Sequence, residues 1–320
     1  MLAAYLVTGG TGTLGTALTL KLLKEGHKVR VLARNEHGHE QLQAQVPQGQ
    51  LPLLSCLIGP VEDRERVCRA ISGVDFLIHA AAQKIVPLAE YNPWQCIQTN
   101  VIGTRNVVEA CLDAPSIKKA VLVSSDKARA PSTLYGATKL CAERLWLCAN
   151  RYRGGLPGLF VGACYGNVFG SRGSVLHSFT QQAQYGYLQL TDSRMTRFHM
   201  TLNQAVDFVL RVLHEGDPGT LWIPRLPSYR LPDLADAFSK VYKLQKEPCF
   251  VGQRPAEKLH ESLVSENESH SVKCEDDSHF VLEPGKVHEN GGWSFNSNSQ
   301  HTRRMSVEEL EGEVREWAGT

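Results

Sequence analysis

Val7-Thr8-Gly9-Gly10-Thr11-Gly12-Thr13-Leu14-Gly15 decides the fold of this chain. Ahead of it, Ala3 to Val7 is a short apolar run of the kind that forms a buried strand. Behind it, Leu14, Ala17, Leu18 and Leu22 recur on one helical face up to Lys24. A strand, glycines at 9, 12 and 15, and a helix predict the first turn of a dinucleotide-binding βαβ unit. Gly9 allows the tight turn, Gly12 lets the backbone approach a pyrophosphate, and Gly15 lets helix and strand pack closely. The helix N-terminus offers free N–H groups and positive dipole to the phosphates. The candidate cofactor residues here are Gly9, Thr11, Gly12, Thr13, Leu14 and Gly15. The bland alternative is a glycine-rich turn with no ligand.

Outward from this loop, short apolar runs alternate with amphipathic stretches. Val29 to Leu32, Leu53 to Leu57, Val74 to Ala80, Lys119 to Ser124 and Gly158 to Ala163 read as strands. Helices are expected around Trp94 to Leu112 and after Pro131. Such alternation predicts an α/β protein, a doubly wound parallel sheet of the Rossmann kind covered on both faces. Residues 1–164 are expected to form this cofactor-binding domain. Residues 165–320 are expected to form a smaller α/β substrate lobe, with some segments returning to the first domain. Within it, Leu202 to Leu213 and Leu231 to Leu244 read as helices. Residues 265–304 read as irregular surface, and Ser306 to Trp317 as a helix opened by a Ser-x-x-Glu capping pattern.

Composition excludes several classes. The 320 residues carry 34 Lys plus Arg against 33 Asp plus Glu. A net charge of +1 gives no bulk attraction for nucleic acid or an anionic membrane. Nine cysteines without a CxxC pair argue against a zinc ribbon or a disulfide framework, so reduced thiols and no metal are expected. No apolar stretch approaches the ~18 residues of a spanning helix, and the N-terminus lacks a basic signal-peptide region. A cytoplasmic enzyme is the expectation.

An acidic residue about 20 positions beyond the glycines would bind the ribose hydroxyls of NAD. Here the second strand ends Leu32-Ala33-Arg34-Asn35-Glu36. Arg34 stands where a 2′-phosphate would lie, which favours NADP; Glu36 keeps NAD as the alternative. His37 and His39 flank Gly38 in what reads as an exposed polar loop.

Tyr135-Gly136-Ala137-Thr138-Lys139 puts a phenol and an ammonium one helical turn apart. A lysine beside a phenol favours the phenolate. Such a tyrosine can remove a proton from a sugar hydroxyl while hydride leaves the same carbon for nicotinamide. Ser124-Ser125 ends the preceding strand, where an active-site hydroxyl is well placed. Together with the glycine loop, these residues point to a short-chain dehydrogenase/reductase.

The chain resembles the extended members of that family. Within them it is similar to the UDP-N-acetylglucosamine 4,6-dehydratases. The carrying motifs are Ser124-Ser125-Asp126-Lys127-Ala128 with the Tyr135–Lys139 pair, His79-Ala80-Ala81-Ala82 with Lys84, and Glu90-Tyr91-Asn92-Pro93 with Asn100. Others are Tyr165-Gly166-Asn167-Val168, Gly170-Ser171-Arg172-Gly173-Ser174, Met195-Thr196-Arg197-Phe198 and Glu257-Lys258-Leu259-His260-Glu261. The resemblance implies Ser125, Asp126, Lys127, Tyr135 and Lys139 as catalytic residues. Ala80, Ala81, Ala82, Lys84 and Asn100 join the cofactor set with Arg34, and Tyr135 and Lys139 belong to it as well. Lys84, Asn167, Arg172, Arg197, Glu257 and Glu261 become candidates for a UDP-sugar.

It also implies a reaction. Tyr135 deprotonates the C4 hydroxyl, hydride passes to NADP⁺, and the resulting ketone acidifies C5. Lys127 takes the C5 proton and Asp126 helps expel the C6 hydroxyl; the residue types alone leave open which is acid and which is base. Hydride then returns to C6. Family members of this soluble length imply inversion at C5, and the family as a whole implies a homo-oligomer. The alternatives are a UDP-hexose 4-epimerase, a dehydratase of another nucleotide sugar, or a non-catalytic NADP-binding regulator. Three departures stand out. Gly59-Pro60-Val61 lacks the family's Asp, which moves the adenine contact to Glu62 or Asp63. Cys164 replaces an Arg, and Ser125 replaces a Thr while keeping the hydroxyl.

Overall fold

The chain begins with strand β1 (Ala4–Thr8), and the glycine loop turns it directly into helix α1 (Thr13–Lys24). Alternation continues through β2 (Lys28–Ala33), α2 (Glu36–Gln45), β3 (Leu54–Ile58), α3 (Arg64–Ile71) and β4 (Phe76–His79). Then come α4 (Val86–Tyr91), α5 (Pro93–Ile97), α6 (Gly103–Asp113), β5 (Lys119–Ser125), α7 (Leu134–Cys148) and β6 (Phe160–Tyr165). These elements come from a computed structural model, which describes residues 2–274, 277–288 and 291–319.

Strands β3-β2-β1-β4-β5-β6 lie side by side and parallel. The order reverses between β1 and β4, so the carboxyl ends of these two strands open a crevice at the switch point. Their residues explain the burial. Leu6, Val7, Leu77, Ile78, Ala120 and Val121 are wholly buried, as strands covered on both faces require. The protein is α/β, built on this parallel sheet.

The C-terminal half adds α8 (Val175–Ala183), β7 (Gln189–Leu190), β8 (Thr196–Phe198), α9 (Leu202–Glu215), β9 (Leu221–Pro224), β10 (Ser228–Arg230), α10 (Leu231–Tyr242) and β11 (Cys249–Phe250). It ends with β12 (Ser262–Val264), α11 (Glu266–Ser269), β13 (Val272–Cys274), β14 (His279–Leu282), β15 (Phe295–Asn296) and α12 (Val307–Ala318). Strand β9 joins β6 in parallel, then β14 and β13 add antiparallel, completing nine strands. A second core of Phe179, Tyr229, Phe238, Leu310 and Val314 holds α8, α10 and α12 together beside the sheet. Ser306 caps α12 in the expected capping box.

Two local expectations are corrected. The 265–304 stretch is not wholly irregular: β14 lies in the main sheet with all four residues buried. Its apolar run is too short to stand out among polar neighbours. The His37-Gly38-His39 stretch is helical, not loop. Asn35 caps α2 by accepting the Gly38 N–H, and buried His39 bonds the Ala33 carbonyl.

Among the described residues no helix is long and apolar enough to cross a membrane. Eight of the nine cysteines are free thiols, and the Cys274 side chain lies outside the described residues.

Candidate functional site

A cleft of about 1110 Å³ runs from the carboxyl ends of the parallel strands to residues of the C-terminal half of the chain. Its floor is the glycine loop. Gly9 has φ +69°, and a Cβ there would lie 2.8 Å from the Ala81 backbone. A Cβ on Gly15 would lie 2.4 Å from the Gly9 carbonyl. Both positions therefore require glycine. Gly12 caps α1 without any side-chain acceptor, so the first N–H groups of α1 face the cleft unsatisfied by side chains. Thr11, Thr13 and Leu14 line the same floor, as do Ala80, Ala81, Ala82 and Lys84. A bare helix N-terminus over a side-chain-free cradle fits a pyrophosphate.

Arg34 and Glu62 form the outer end of the floor. Arg34 is exposed, 3.9 Å from Glu62. Glu62 accepts hydrogen bonds from Thr99 at 2.5 Å and Gln95 at 3.1 Å, with its second oxygen buried and unpartnered. Of the two expected acids, Glu62 faces the cleft, whereas Asp63 caps α3. Glu36 lies on α2, outside the cleft lining.

Asn100 is placed differently from the expectation. It does not line the cleft but is buried in one π-helical turn between α5 and α6. Its amide accepts from the Gln83 N–H at 2.8 Å and donates to the Gln83 carbonyl and to Thr138 Oγ1 at 3.0 Å. It thus clamps the loop after β4 against α7. His79 is equally structural. Its ring nitrogens meet Thr8 at 2.7 Å and Thr104 at 3.0 Å, and burial followed by the Lys139 charge holds its pKa down at about 3.

One wall is the end of β5. Ser125 Oγ donates to Asp126 at 2.8 Å, and Lys127 Nζ lies 3.1 Å from the same carboxylate oxygen. Asp126 is fully buried, and its other oxygen is unpartnered. Glu261, just ahead of β12, lies 3.5 Å from Lys127 Nζ. It too is buried with one unpartnered oxygen. Burial disfavours the Lys127 ammonium, but Asp126 and Glu261 outweigh it and hold the group above the ordinary lysine range.

Tyr135 and Lys139 lie on the first turns of α7, which Thr133 caps. Burial pushes the Tyr135 phenol up to about 12, against opposing pulls from Lys127 and the Ser125 hydroxyl. Here the expected pairing is corrected. Lys139 Nζ donates to the Val123 carbonyl at 2.7 Å, and burial lowers it to about 8. The cation that favours the phenolate is Lys127. A turn of helical spacing brings Lys139 to the cleft, but the strand end captures its ammonium. Behind this wall Ser124 donates to Glu143, which pairs with Arg129; Arg129 reaches Glu268 at 2.5 Å. Sequence reading missed this buried network, because Ser124, Arg129 and Glu143 carry no local motif and Glu268 lies 139 residues beyond Arg129. Cys164 is a buried thiol raised to about 12, chiefly by burial.

The C-terminal half of the chain supplies the other wall. Asn167, Arg197, Tyr229, Glu257 and Lys258 line it. Arg197 is fixed by the carbonyls of Thr196 at 2.8 Å and Leu259 at 3.0 Å, with Glu257 3.6 Å away. Arg172 does not stand in this group: it donates to the Thr11 carbonyl of the glycine loop. Among the described residues no cluster of His, Cys, Asp and Glu is suited to a metal ion.

Comparison with known proteins gives a family match over most of the chain. A family profile described as polysaccharide biosynthesis protein matches residues 5–283. The chain is 39% identical over 283 residues to a UDP-N-acetylglucosamine 4,6-dehydratase (inverting) of Campylobacter jejuni, covering 87% of this chain and 82% of that one. It is 35% identical to a UDP-glucose 4-epimerase of Rickettsia rickettsii, covering 82% and 78%. Among solved structures, Pen from Bacillus thuringiensis superposes with a TM-score of 0.91 at 32% identity, over 98% of this chain and 97% of that one.

Proposed function

The chain belongs to the polysaccharide biosynthesis protein family, and from that premise we propose that it is a nucleotide-sugar 4,6-dehydratase. Its substrate is UDP-N-acetylglucosamine and its product a UDP-2-acetamido-2,6-dideoxy-4-hexulose with C5 inverted. The reaction makes it a lyase. The observation that carries this reading is the Asp126–Lys127–Glu261 cluster facing the cleft beside Tyr135. Elimination of water needs an acid and a base at neighbouring carbons. A 4-epimerase does not.

A nicotinamide dinucleotide supplies the hydride acceptor at C4 and the hydride donor at C6. Gly9, Gly12, Gly15 and the α1 N-terminus suit its pyrophosphate, and Arg34 suits a 2′-phosphate, so the cofactor is NADP rather than NAD. Tyr135 accepts the C4 hydroxyl proton, with Lys127 and Ser125 stabilising the phenolate. Lys127 starts as an ammonium and cannot take a proton in that form. Transfer of its proton to Asp126 across their 3.1 Å contact yields an amine and a carboxylic acid together. The amine removes the C5 proton, and the acid protonates the departing C6 oxygen. Glu261 then steadies the regenerated ammonium. Asn167 and Arg197 hold the UDP diphosphate, where a guanidinium pairs well with phosphate oxygens.

The test is product mass after incubation with UDP-N-acetylglucosamine. Loss of one water supports the dehydratase. Unchanged mass with a new C4 isomer supports the epimerase reading, which the Rickettsia relative favours. A non-catalytic cofactor-binding role requires that neither product form; Tyr135 and Lys139 on the cleft wall count against it.

A further inference from the structure

Tyr229 lies on β10, directly across from Arg197 of β8 in their antiparallel pairing. Sequence reading gave it no role, yet it lines the cleft on the wall that faces Lys127. Its ring is buried in the core shared with Phe179 and Phe238, and its centre lies 6.3 Å from that of the His199 ring. The side chain is therefore held in place by packing. Its phenol lies within electrostatic reach of Arg197, Lys127 and Asp126. Among the described residues no hydrogen bond occupies that phenol, and its oxygen is open to the cleft.

The proposed reaction has one step still without a donor. Once water has left, hydride addition at C6 moves the C5–C6 electron pair into an enolate across C4 and C5. A proton at C5 then restores the ketone. Lys127 takes the original C5 proton from its own side, so inversion requires the new proton from the other face. Other proton carriers on the cleft suit that face poorly. Tyr165 ends β6 beside Ser125, on the Lys127 wall, and it feels Tyr135 and Cys164 but no cation. Lys258 gives its ammonium to the Arg129 carbonyl at 2.6 Å. Arg197 holds its guanidinium proton throughout. Tyr229 fits better. Burial raises its phenol to about 12, so the group carries its proton at neutral pH. The Arg197 and Lys127 charges pull the other way and stabilise the phenolate that donation leaves behind.

We propose that Tyr229 is the catalytic acid that delivers a proton to C5 from the face opposite Lys127. The O–H bond of Tyr229 breaks as the C5–H bond forms, and the enolate collapses to the C4 ketone. The phenolate then takes a proton from solvent. Tyr135 releases the C4 hydroxyl proton to solvent in the same turnover, so the protons balance. The two tyrosines thus act at opposite ends of the reaction: Tyr135 accepts the first proton and Tyr229 gives the last. This deepens the inverting-dehydratase reading and rests on it.

The experiment compares wild type with Tyr229→Phe, as full-length cofactor-loaded protein given UDP-N-acetylglucosamine in D₂O. It follows reduced-cofactor absorbance through one turnover, product mass, C5 configuration and C5 deuterium by NMR, and melting temperature. Tyr229→Phe keeps the buried ring and removes only the acid. Reduced cofactor should form within about twofold of the wild-type rate, because that step precedes the role of Tyr229. Inverted product should form about 10²- to 10⁴-fold more slowly, so the absorbance stands instead of decaying. Wild type should place deuterium at C5. Protium there would mean that Lys127 returns the proton it took, and the proposal is overturned. Inverted product at the wild-type rate from Tyr229→Phe overturns it as well. So does an equal loss in cofactor reduction and product formation, the mark of a merely structural residue. Wild-type product with C5 retained, or with unchanged mass, would sink the inverting-dehydratase reading itself, a result seen before any variant is compared.

Discussion

Lys127 Nζ lies 3.5 Å from a carboxylate oxygen of Glu261, an ion pair that joins the end of β5 to the segment leading into β12. Asp126 holds the other side of the same ammonium. Lys127 is thus an ammonium flanked by two buried carboxylates. Its proton has an acceptor at hand in Asp126, and Glu261 stays beside the nitrogen to support the ammonium when it re-forms. Removing one carboxylate makes the ammonium easier to deprotonate. Glu261→Gln is expected to move the acidic limb of the kcat–pH profile to lower pH. The same limb left in place would show that Glu261 does not act on Lys127.

Lys127→Ala separates the two halves of the reaction. Water loss should fall by about 10²- to 10⁴-fold, the usual contribution of a general acid–base group. Slow oxidation at C4 should persist, read as partial build-up of reduced-cofactor absorbance. Tyr135→Phe removes the first proton acceptor, so both dehydration and that absorbance should vanish. Full dehydration by Lys127→Ala would remove Lys127 from the role of base.

Arg34 stands exposed at the end of β2 with Glu62 3.9 Å away. A 2′-phosphate would compete with Glu62 for the guanidinium. Arg34→Ala should weaken NADP⁺ about tenfold or more while leaving NAD⁺ nearly unchanged. Titration of each cofactor against the variant checks this. Equal losses for both would mean that Arg34 holds the adenine end without reading the phosphate.

The Arg129–Glu143 pair is almost wholly buried, and Glu268 and Ser124 complete it. Removing one partner of such a pair leaves a buried charge uncompensated, which costs about 3–5 kcal/mol. Arg129→Met is therefore expected to lower the melting temperature markedly, and Arg129→Met with Glu143→Leu to recover much of the loss. A double variant no better than the single one would show that the network matters by shape rather than charge.

What the sequence revealed follows from distance along the chain. The glycine loop, β1 and α1 form one continuous signal, so the fold and the side-chain-free turn at its switch point are legible from Val7 to Gly15. The Tyr135–Lys139 spacing was legible as one helix face, but the fate of the Lys139 ammonium was not, because Val123 captures it from a different element. In sequence Arg172 stands near Asn167 and groups with the sugar candidates. Only folding brings it to Thr11 and Thr13. Asn100 likewise turned inward, since Gln83 and Thr138 satisfy its amide. Local periodicity reports burial and turn chemistry; cross-lobe contacts leave no periodic trace.

Lys139 carries the last prediction. It is buried on α7, and burial lowers its pKa from 10.5 to about 8. The unfolded chain therefore binds the proton more tightly than the folded one between these values. Stability then rises with pH across that window, and below about 8 the full cost is present. The cost is on the order of 3 kcal/mol, less what the Val123 hydrogen bond returns. Lys139→Met removes the charge with similar shape. It should melt above wild type at neutral pH while losing activity. The gap should narrow as pH rises from about 8 toward 10.5. Melting curves of both proteins across that range test it. A gap that is constant with pH, or a variant that melts below wild type at neutral pH, would mean that the buried ammonium is no burden to the fold.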